Sequence, residues 1–332
     1  MDPGGGPRDC GSPPEAAIGN PPGGDAARGS LLRVSVFSGP MLSRCLLLAA
    51  LLATSLLGQD AYTQSIMDWR AGRVARLKTP DGWLTLIGRH QLVAGENSAG
   101  TAADNSIKLA AGPPYLATVT LTADRRVKFL PAAAARLEVD GVPTQDEVEL
   151  LYQGDKPTRV TFGTANFYVM QRGENLYLRV RDTAAPNLAH FTGIEYFPVD
   201  PAWRVEAQWV PFEPARQVAI TNMIGVTEPA AVPGKAVFTW QGKTVELLPI
   251  DEGDNLFFVL TDLTAGVETY EASRFLYVPK PKPGETKVTL DFNRMQNPPC
   301  AFTAFATCPL PPKENRMPFR VTAGEKVYAG PH

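Results

Sequence analysis

Short segments in which apolar and polar residues alternate follow one another along most of the chain. Alternation with a period of two is typical of strands that bury one face. The predicted strands are Trp83–Ile87, Tyr115–Thr122, Arg126–Leu130, Glu147–Tyr152, Arg159–Phe162, Phe167–Gln171, Leu176–Arg181, Trp203–Val210, Gln217–Ile220, Ala236–Trp240, Thr244–Leu248, Leu256–Thr261, Arg274–Val278 and Lys287–Asp291. Short strands at this regular spacing predict a mainly β protein, an antiparallel β-sandwich or barrel, rather than βαβ units.

Turn signals separate several of these strands. The pairs Asp140-Gly141, Arg172-Gly173 and Gln241-Gly242 each place glycine where a hairpin needs a positive φ. They predict tight connections between neighbouring antiparallel strands.

One segment before the strands follows a helical period instead. Within residues 63–77, Ile66, Trp69, Val74 and Leu77 fall roughly on one face. The sequence therefore predicts one short N-terminal helix at this place.

The first forty residues differ from the rest in composition. They contain nine Gly and seven Pro, and such a segment buries too little apolar area to offset the entropy of the chain. We expect residues 1–40 to be a disordered leader. The signal that follows them suggests that they are not translated and that Met41 is the initiator.

Residues 41–60 have the pattern of a secretory signal peptide. Arg44 is followed by an uncharged apolar run over residues 45–57, which is too short to be a comfortable transmembrane helix. An exported protein, periplasmic or extracellular, is predicted, with a mature start near residue 59 and no stable membrane span. The alternative is a buried apolar helix behind a disordered tail.

Charge and short motifs exclude some classes of partner. The chain has 32 Lys and Arg, 34 Asp and Glu and 3 His, for a net charge of about −2. A nucleic-acid binder needs a basic face, so no nucleic-acid partner is predicted. The sequence has neither a GxGxxG nor a Walker A motif, and it indicates no cofactor.

A loop-like stretch near residues 183–202 divides the predicted strands into two groups. We expect a helix plus an N-terminal β region over residues 61–185 and a C-terminal β region over residues 186–332. The second region is either a separate domain or continuous with the first.

The cysteines agree with export. Cys10 and Cys45 lie in the segment expected to be removed, whereas Cys300 and Cys308 remain. A close pair in an exported protein predicts a disulfide, whose short loop is worth roughly 2–3 kcal/mol. Two thiols and half of a metal site are the alternatives, and the nearby sequence offers no His to complete a metal site.

Several segments carry more specific motifs. They are Gly82–Gly88, Ala94–Gly100, Leu178–Asp182, Phe191–Pro198 and, most specifically, Asp291–Phe302, which continues through Thr307–Pro311 to Glu314-Asn315. Together they resemble the bacterial family DUF1684, a domain of unknown function, over about residues 65–328. The resemblance implies a folded domain, but it does not imply any particular activity. The chain departs from the family pattern at Arg89-His90-Gln91, where apolar or aromatic residues are expected.

A fainter likeness lies within the first. Residues 92–101 and 105–109 resemble the opening of a forkhead-associated sandwich, which implies phosphothreonine binding. Thr101 stands where those domains use Arg, and no Ser-x-x-His follows. The likeness therefore favours a related fold in the N-terminal half without phosphopeptide binding.

The strand Leu176–Arg181 holds the first candidate site. Tyr177, Arg179 and Arg181 share one face, and Asp182 follows. Two planar guanidinium forks and a phenol form a plausible clamp for an anion or carboxylate. The alternative is a solvated sheet face with cross-strand ion pairs.

A second candidate is the strand–loop–strand that contains Asp262, Tyr270 and Arg274. Its polar side chains either bind a ligand or, for Asp262 and Thr264, close local turns through the backbone.

The third candidate is the loop with Asp291, Asn293 and Asn297, which is stiffened by Pro298 and Pro299. A rigid loop with fixed donors and acceptors suits a binding site. The alternative is a structural corner in which these side chains cap backbone groups.

Three functions remain open at this stage, and the sequence does not decide whether the protein is an enzyme. The first is an exported β-sandwich module that binds an unknown small polar or anionic ligand through Arg179, Arg181, Tyr270, Arg274 and the loop 291–300. The second is an envelope hydrolase that uses acid–base carboxylates such as Asp262 and Asp291. The third is a structural envelope protein without a small ligand.

Overall fold

The computed structural model describes residues 60–331. The predicted leader 1–40, almost all of the predicted signal peptide 41–60, and both Cys10 and Cys45 lie outside the described residues. Helix α1 occupies residues 60–77, and a single short turn of helix, α2, spans Pro186–Ala189. Neither of these two helices is long and apolar enough to cross a membrane.

The described residues form eighteen strands. The first eleven are β1 (Leu86–Gln91), β2 (Gly95–Gly100), β3 (Ile107–Lys108), β4 (Ala117–Leu121), β5 (Val127–Pro131), β6 (Glu138–Val139), β7 (Val142–Pro143), β8 (Val148–Glu149), β9 (Arg159–Phe162), β10 (Ala165–Arg172) and β11 (Asn175–Asp182). The others are β12 (Arg204–Thr221), β13 (Thr227–Trp240), β14 (Lys243–Leu247), β15 (Ile250–Glu252), β16 (Asn255–Leu260), β17 (Arg274–Pro279) and β18 (Lys287–Asp291). The predicted mainly β, antiparallel fold with one N-terminal helix is confirmed.

The first eleven strands build a sandwich of two sheets. One sheet has the order β1-β11-β10-β9-β6-β7 and the other the order β3-β2-β4-β5-β8. Alternate residues of both sheets meet in one apolar core, where Phe129 of β5 packs edge-on against Phe167 of β10 with ring centroids 5.8 Å apart. Only the β2–β3 pair of this sandwich is parallel.

The remaining strands build a second pair of sheets. Their orders are β14-β13-β12-β18 and β15-β16-β17. Leu256 and Phe258 of β16 face the core between these sheets, whereas Phe257 and Val259 face a smaller cluster on the other side. Strand β16 is buried on both faces, which explains why its sequence is a continuous apolar run.

Helix α1 packs against the C-terminal half of the chain rather than against the neighbouring first sandwich. Its buried side chains are Ile66, Arg73 and Leu77, and Leu77 joins a cluster with Phe302 and Tyr328. The predicted apolar stripe is therefore replaced in part by a buried arginine. The division of the chain at residues 185 and 186 stays a prediction.

Several local predictions needed correction. Trp83–Thr85 is a short 3₁₀ helix, so strand β1 begins three residues later than predicted. Apart from Trp203, which ends a 3₁₀ turn, the segments Trp203–Val210 and Gln217–Ile220 belong to one long strand, β12, which is irregular between Pro211 and Arg216. Strand β2 lacks the aromatic and aliphatic residues typical of strands and was missed.

The predicted turn at Gln241-Gly242 has the expected backbone. Both residues have positive φ, 49° and 75°, as a tight hairpin between β13 and β14 requires.

Candidate functional site

Arg179 and Arg181 lie side by side on one face of β11, and that face is buried. They are 2% and 5% exposed, and their guanidinium groups lie 4.7 and 5.5 Å from the ring centroid of Trp83. Arg179 also donates a hydrogen bond of 3.2 Å to the hydroxyl of Tyr168 on the neighbouring strand. The alternative of a solvated face is therefore wrong, because the segment before β1 covers it.

Arg181 is bonded to the segment before β1, and Asp182 to the turn that follows β11. Arg181 donates to the carbonyl oxygen of Gly82 and to the hydroxyl of Thr85. Burial, and then the neighbouring Arg179, lower the pKa of Arg181. Asp182 accepts from the backbone amide of Ala184 at 2.8 Å, which closes a turn at the end of β11.

Asp262 and Arg274 form a buried ion pair. A guanidinium nitrogen of Arg274 lies 2.7 Å from Oδ2 of Asp262, and each side chain is 1% exposed. Oδ1 of Asp262 accepts from the amide and hydroxyl of Thr264 and from the amide of Val321. Arg274 also donates to the carbonyl oxygens of Val321 and Ala323. The pair is thus hydrogen-bonded on both sides and fastens the C-terminal segment to the sheet.

Asp291 and Asn293 anchor helix α1. The hydroxyl of Tyr62 donates to Oδ1 of Asp291 at 2.8 Å and accepts from Nδ2 of Asn293 at 3.0 Å. Asn293 is fully buried and exchanges two hydrogen bonds with the backbone of Asp200. Burial, and then the bond to Asp291, raise the pKa of Tyr62.

Asn297 belongs to a buried network centred on Glu325. The backbone amide of Asn297 donates to Oε2 of Glu325 at 2.6 Å, and its side chain donates to the carbonyl of Lys326. Arg73 of α1 donates to Oε1 of Glu325 at 3.0 Å and to the carbonyl of Asn297. Arg274 donates to the backbone carbonyl of Glu325. The sequence analysis did not single out Glu325, because nothing near it in the sequence distinguishes it from an ordinary charged surface residue.

Tyr270 is half-buried beside Phe302 and Tyr328. Burial, more than any neighbouring charge, raises its pKa to about 12. The hydroxyl therefore stays protonated through the physiological range.

The nine candidate ligand residues thus do not form one surface site. Asp262, Arg274 and Asn297 are linked through Glu325, and Asp291 and Asn293 hold the start of α1. The two carboxylates considered for acid–base chemistry, Asp262 and Asp291, lie in different hydrogen-bonded clusters. None of the nine residues lines the cavity beside Arg172 and Glu252 or the smaller one beside Val218 and Asn315.

Cys300 and Cys308 are reduced thiols in the structure, so the predicted disulfide is not present. The backbone amide of Cys300 donates to Sγ of Cys308 at 3.2 Å, and the amide of Cys308 donates to Sγ of Cys300 at 3.4 Å. Within residues 60–331, no His, Asp or Glu joins the two cysteines to make a group of three metal ligands.

A cavity of about 40 Å³ lies where the first sandwich meets the second. This volume holds about three water-sized groups. Its polar lining is Arg172, Asn222, Glu228, Glu252 and Thr307, and its apolar walls include Ile220, Ile250 and Phe257. A concave site at the junction of two packed units is where ligands commonly bind.

Strand geometry explains how these side chains converge. Ile250 and Glu252 are two residues apart on β15, as Glu228 and Ala230 are on β13, so each pair faces the same side. Thr307 comes from the loop after Cys300 and accepts a hydrogen bond of 3.1 Å from Nε of Arg172 at the end of β10. The cavity therefore depends on four separate parts of the chain.

Glu252 has an unusual environment within this cavity. Its carboxyl has no hydrogen-bond or ion-pair partner among residues 60–331, whereas Glu228 accepts from the amide of Gly173 at 3.1 Å. Burial alone raises the pKa of Glu252 to about 7. The cavity thus contains a poorly solvated carboxyl that exchanges its proton near neutral pH.

Sequence reasoning missed the cavity because its polar residues stand at strand ends. Glu252 precedes Asp254 in a hairpin whose residue Gly253 has a φ of 66°, and charged residues at such turns are usually solvated. Arg172 was noted only as part of a predicted turn.

Comparison with known proteins gives the family. A family described as "Protein of unknown function (DUF1684)" matches residues 189–326. A solved structure, the solution NMR structure of an uncharacterized protein from Haloarcula marismortui, is similar at 30% sequence identity. The match covers 41% of this chain and 77% of that chain, with a TM-score of 0.35. Residues 189–326 are therefore a DUF1684 region.

The predicted resemblance to DUF1684 is therefore confirmed over residues 189–326, which include the whole second sandwich with the Cys300–Cys308 loop. The part of the resemblance before residue 189 stays a prediction. No curated protein matches the chain. The forkhead-associated likeness of residues 92–109 is not shown by these comparisons.

Proposed function

We propose that this DUF1684 protein binds a small ligand with a cationic, hydrogen-bond-donating head group, such as an ammonium or amidinium, in the cavity at Glu252. The observation that carries the proposal is the partnerless, largely buried carboxyl of Glu252 on the wall of that cavity. Burying a carboxyl without a partner is costly, and a bound donor would offset that cost.

The rest of the lining supports the same class of ligand. Glu228 brings a second carboxyl to the cavity, and the ring of Phe257 forms part of its apolar wall. Protonated amines and guanidines are stabilised by carboxylates and by aromatic faces. The proposed ligand is polar, as the sequence led us to expect, but it binds at residues other than those predicted. An anionic ligand would meet two carboxyls and one guanidinium.

A thermal-shift titration tests this proposal, because a ligand that binds the folded state raises its melting temperature. The probes are agmatine and n-propylamine, with propionate and phosphate as anionic counterparts of similar size. At pH 8 the two amines should raise the melting temperature of the wild-type chain, and Glu252→Gln should abolish the shift.

The control variant is Glu96→Gln, which removes one charge from an exposed residue of β2 and should keep the response to amines. Stabilisation by the anions alone, or an equal response of wild type and Glu252→Gln to the amines, would contradict the proposal.

We also propose that the protein is exported, on the basis of Arg44 and the uncharged segment 45–57 that follows it. Expression of the full chain in a bacterium with an outer membrane, followed by N-terminal sequencing, tests export. A periplasmic product that begins near residue 59 is expected, whereas an unprocessed cytoplasmic chain would contradict it.

A further inference from the structure

The Cys300 and Cys308 thiols are arranged as a pair rather than as two separate core residues. Each sulfur accepts a hydrogen bond from the backbone amide of the other cysteine, at 3.2 and 3.4 Å. Amide donors directed at sulfur stabilise the thiolate more than the thiol. The loop between the cysteines therefore holds both sulfurs close together in an environment that favours ionisation.

We propose that Cys300 and Cys308 form a reactive dithiol that reduces low-molecular-mass disulfides, with Cys300 as the attacking thiol and Cys308 as the resolving thiol. This reaction does not depend on the cavity at Glu252 or on its ligand. It also goes beyond a structural cross-link, since it assigns a different role to each sulfur.

Access distinguishes the two thiols. Cys300 is partly exposed, whereas Cys308 is 2% exposed and belongs to the apolar cluster behind β16 and β17. Cys308 is held in place because its carbonyl accepts a hydrogen bond of 2.9 Å from the amide of Met223. Cys300 is therefore the more accessible of the two residues to a small disulfide in solution.

Arg89 supplies positive charge next to Cys300. Its guanidinium donates a hydrogen bond of 3.0 Å to the carbonyl of Ala306, within the loop between the cysteines. The hydrogen bond from Cys308 is the largest influence that lowers the pKa of Cys300, and Arg89 lowers it further, against a rise caused by burial. A lowered pKa increases the fraction of thiolate, which is the nucleophile in thiol–disulfide exchange.

The thiol–disulfide exchange takes place in two steps. The Cys300 thiolate attacks one sulfur of a disulfide RSSR, forming a mixed disulfide and releasing one thiolate RS⁻. Cys308 gives its proton to that RS⁻, and its own thiolate then attacks Sγ of Cys300. The Cys300–Cys308 disulfide forms, the second RS⁻ leaves, and two electrons have passed from the protein to RSSR.

The test uses the full chain carrying Cys10→Ser and Cys45→Ser, so that only the two cysteines of the pair react. The probe is 5,5′-dithiobis(2-nitrobenzoic acid), whose released thiolate is coloured. Two thiolates per chain should be released, and intact mass should show a protein lighter by two hydrogens with no adduct.

Adding Cys308→Ser should give one thiolate and a stable adduct on Cys300. Adding Cys300→Ser instead should slow the reaction at least about tenfold, because Cys308 is buried.

The stoichiometry and mass of the chain with both cysteines give an answer even if a serine variant folds poorly. A stable adduct on that chain, or equal reaction rates for the Cys300→Ser and Cys308→Ser chains, would overturn the proposal.

The pH dependence of the rate of Cys300 alkylation is a second measurement, and a purely structural role of Arg89 would not change it. In the Cys308→Ser background, Arg89→Gln should shift the midpoint of Cys300 alkylation to higher pH. Arg89→Lys, which keeps the positive charge, should leave the midpoint close to its value with Arg89. An unchanged midpoint in Arg89→Gln would contradict the role of Arg89.

Discussion

The stability of the protein should depend on pH through Glu252. Its pKa is about 7 in the folded chain, against an ordinary value of 4.5. Below about pH 4.5 both the folded and the unfolded chain hold the proton, so Glu252 carries no penalty. As the pH rises towards 7 the unfolded chain ionises first, and the free energy of unfolding falls until the folded chain is also ionised.

Glu252→Gln should therefore stabilise the chain at pH 8 and have little effect at pH 4. We expect a gain of about 2 kcal/mol at pH 8, after allowing for the partial exposure of the carboxyl. Urea unfolding of wild type and variant at both pH values measures it, with Glu96→Gln as the control. An equal effect at pH 4 and pH 8 would show that Glu252 ionises normally.

The pair of Asp262 and Arg274 should behave as a buried ion pair whose halves cannot be separated. Asp262→Ala leaves the Arg274 guanidinium buried without its carboxylate and should lower the free energy of unfolding by about 3–5 kcal/mol. Asp262→Leu combined with Arg274→Met removes both charges and should lose less than Asp262→Ala does. Denaturant unfolding of both variants checks this, and a loss below about 1 kcal/mol for Asp262→Ala would contradict the assignment.

At the scale of elements, strands with clear alternation were predicted well, because their residues face either a core or a second layer. Arg159–Phe162 and Lys287–Asp291 have the predicted bounds. Strand β2 was missed because Gly95–Gly100 is a strand through its pairing with β4, not through its own residue preferences.

Helix α1 shows the same limit. Its period was evident, but Arg73 is buried because Glu325 lies opposite it, more than 200 residues later in the chain. No local pattern indicates such a partner.

Arg73 should therefore control how α1 docks on the second sandwich. Arg73→Met leaves the Glu325 carboxylate buried without a cation and should weaken docking by about 3 kcal/mol. Hydrogen exchange of the amides in residues 60–77 should become faster, while that of β16 changes less. Lys78→Met, which alters an exposed cation just after the helix, is the matched control, and unchanged exchange in Arg73→Met would contradict this role.

At the scale of the whole molecule, both the polar networks and the cavity arise where distant parts of the chain meet. Arg179 and Arg181 were correctly placed on one face of their strand, but the segment that covers them, at Trp83, lies nearly a hundred residues earlier. Likewise, the cavity joins Arg172 of the first sandwich to Glu252 of the second. The sequence therefore predicted the fold class and the family, whereas the candidate site required the tertiary arrangement.

A direct test of the proposed ligand site is the pKa of Glu252 itself, measured by NMR on the full chain with ¹³C-labelled glutamate carboxyls. Loss of one signal in Glu252→Gln assigns it. We predict a pKa of about 7 without ligand and a lower value with saturating agmatine, because a bound cation favours the ionised carboxyl. A pKa near the ordinary value of 4.5 without ligand, or a pKa that agmatine does not change, would contradict a ligand site built on this carboxyl.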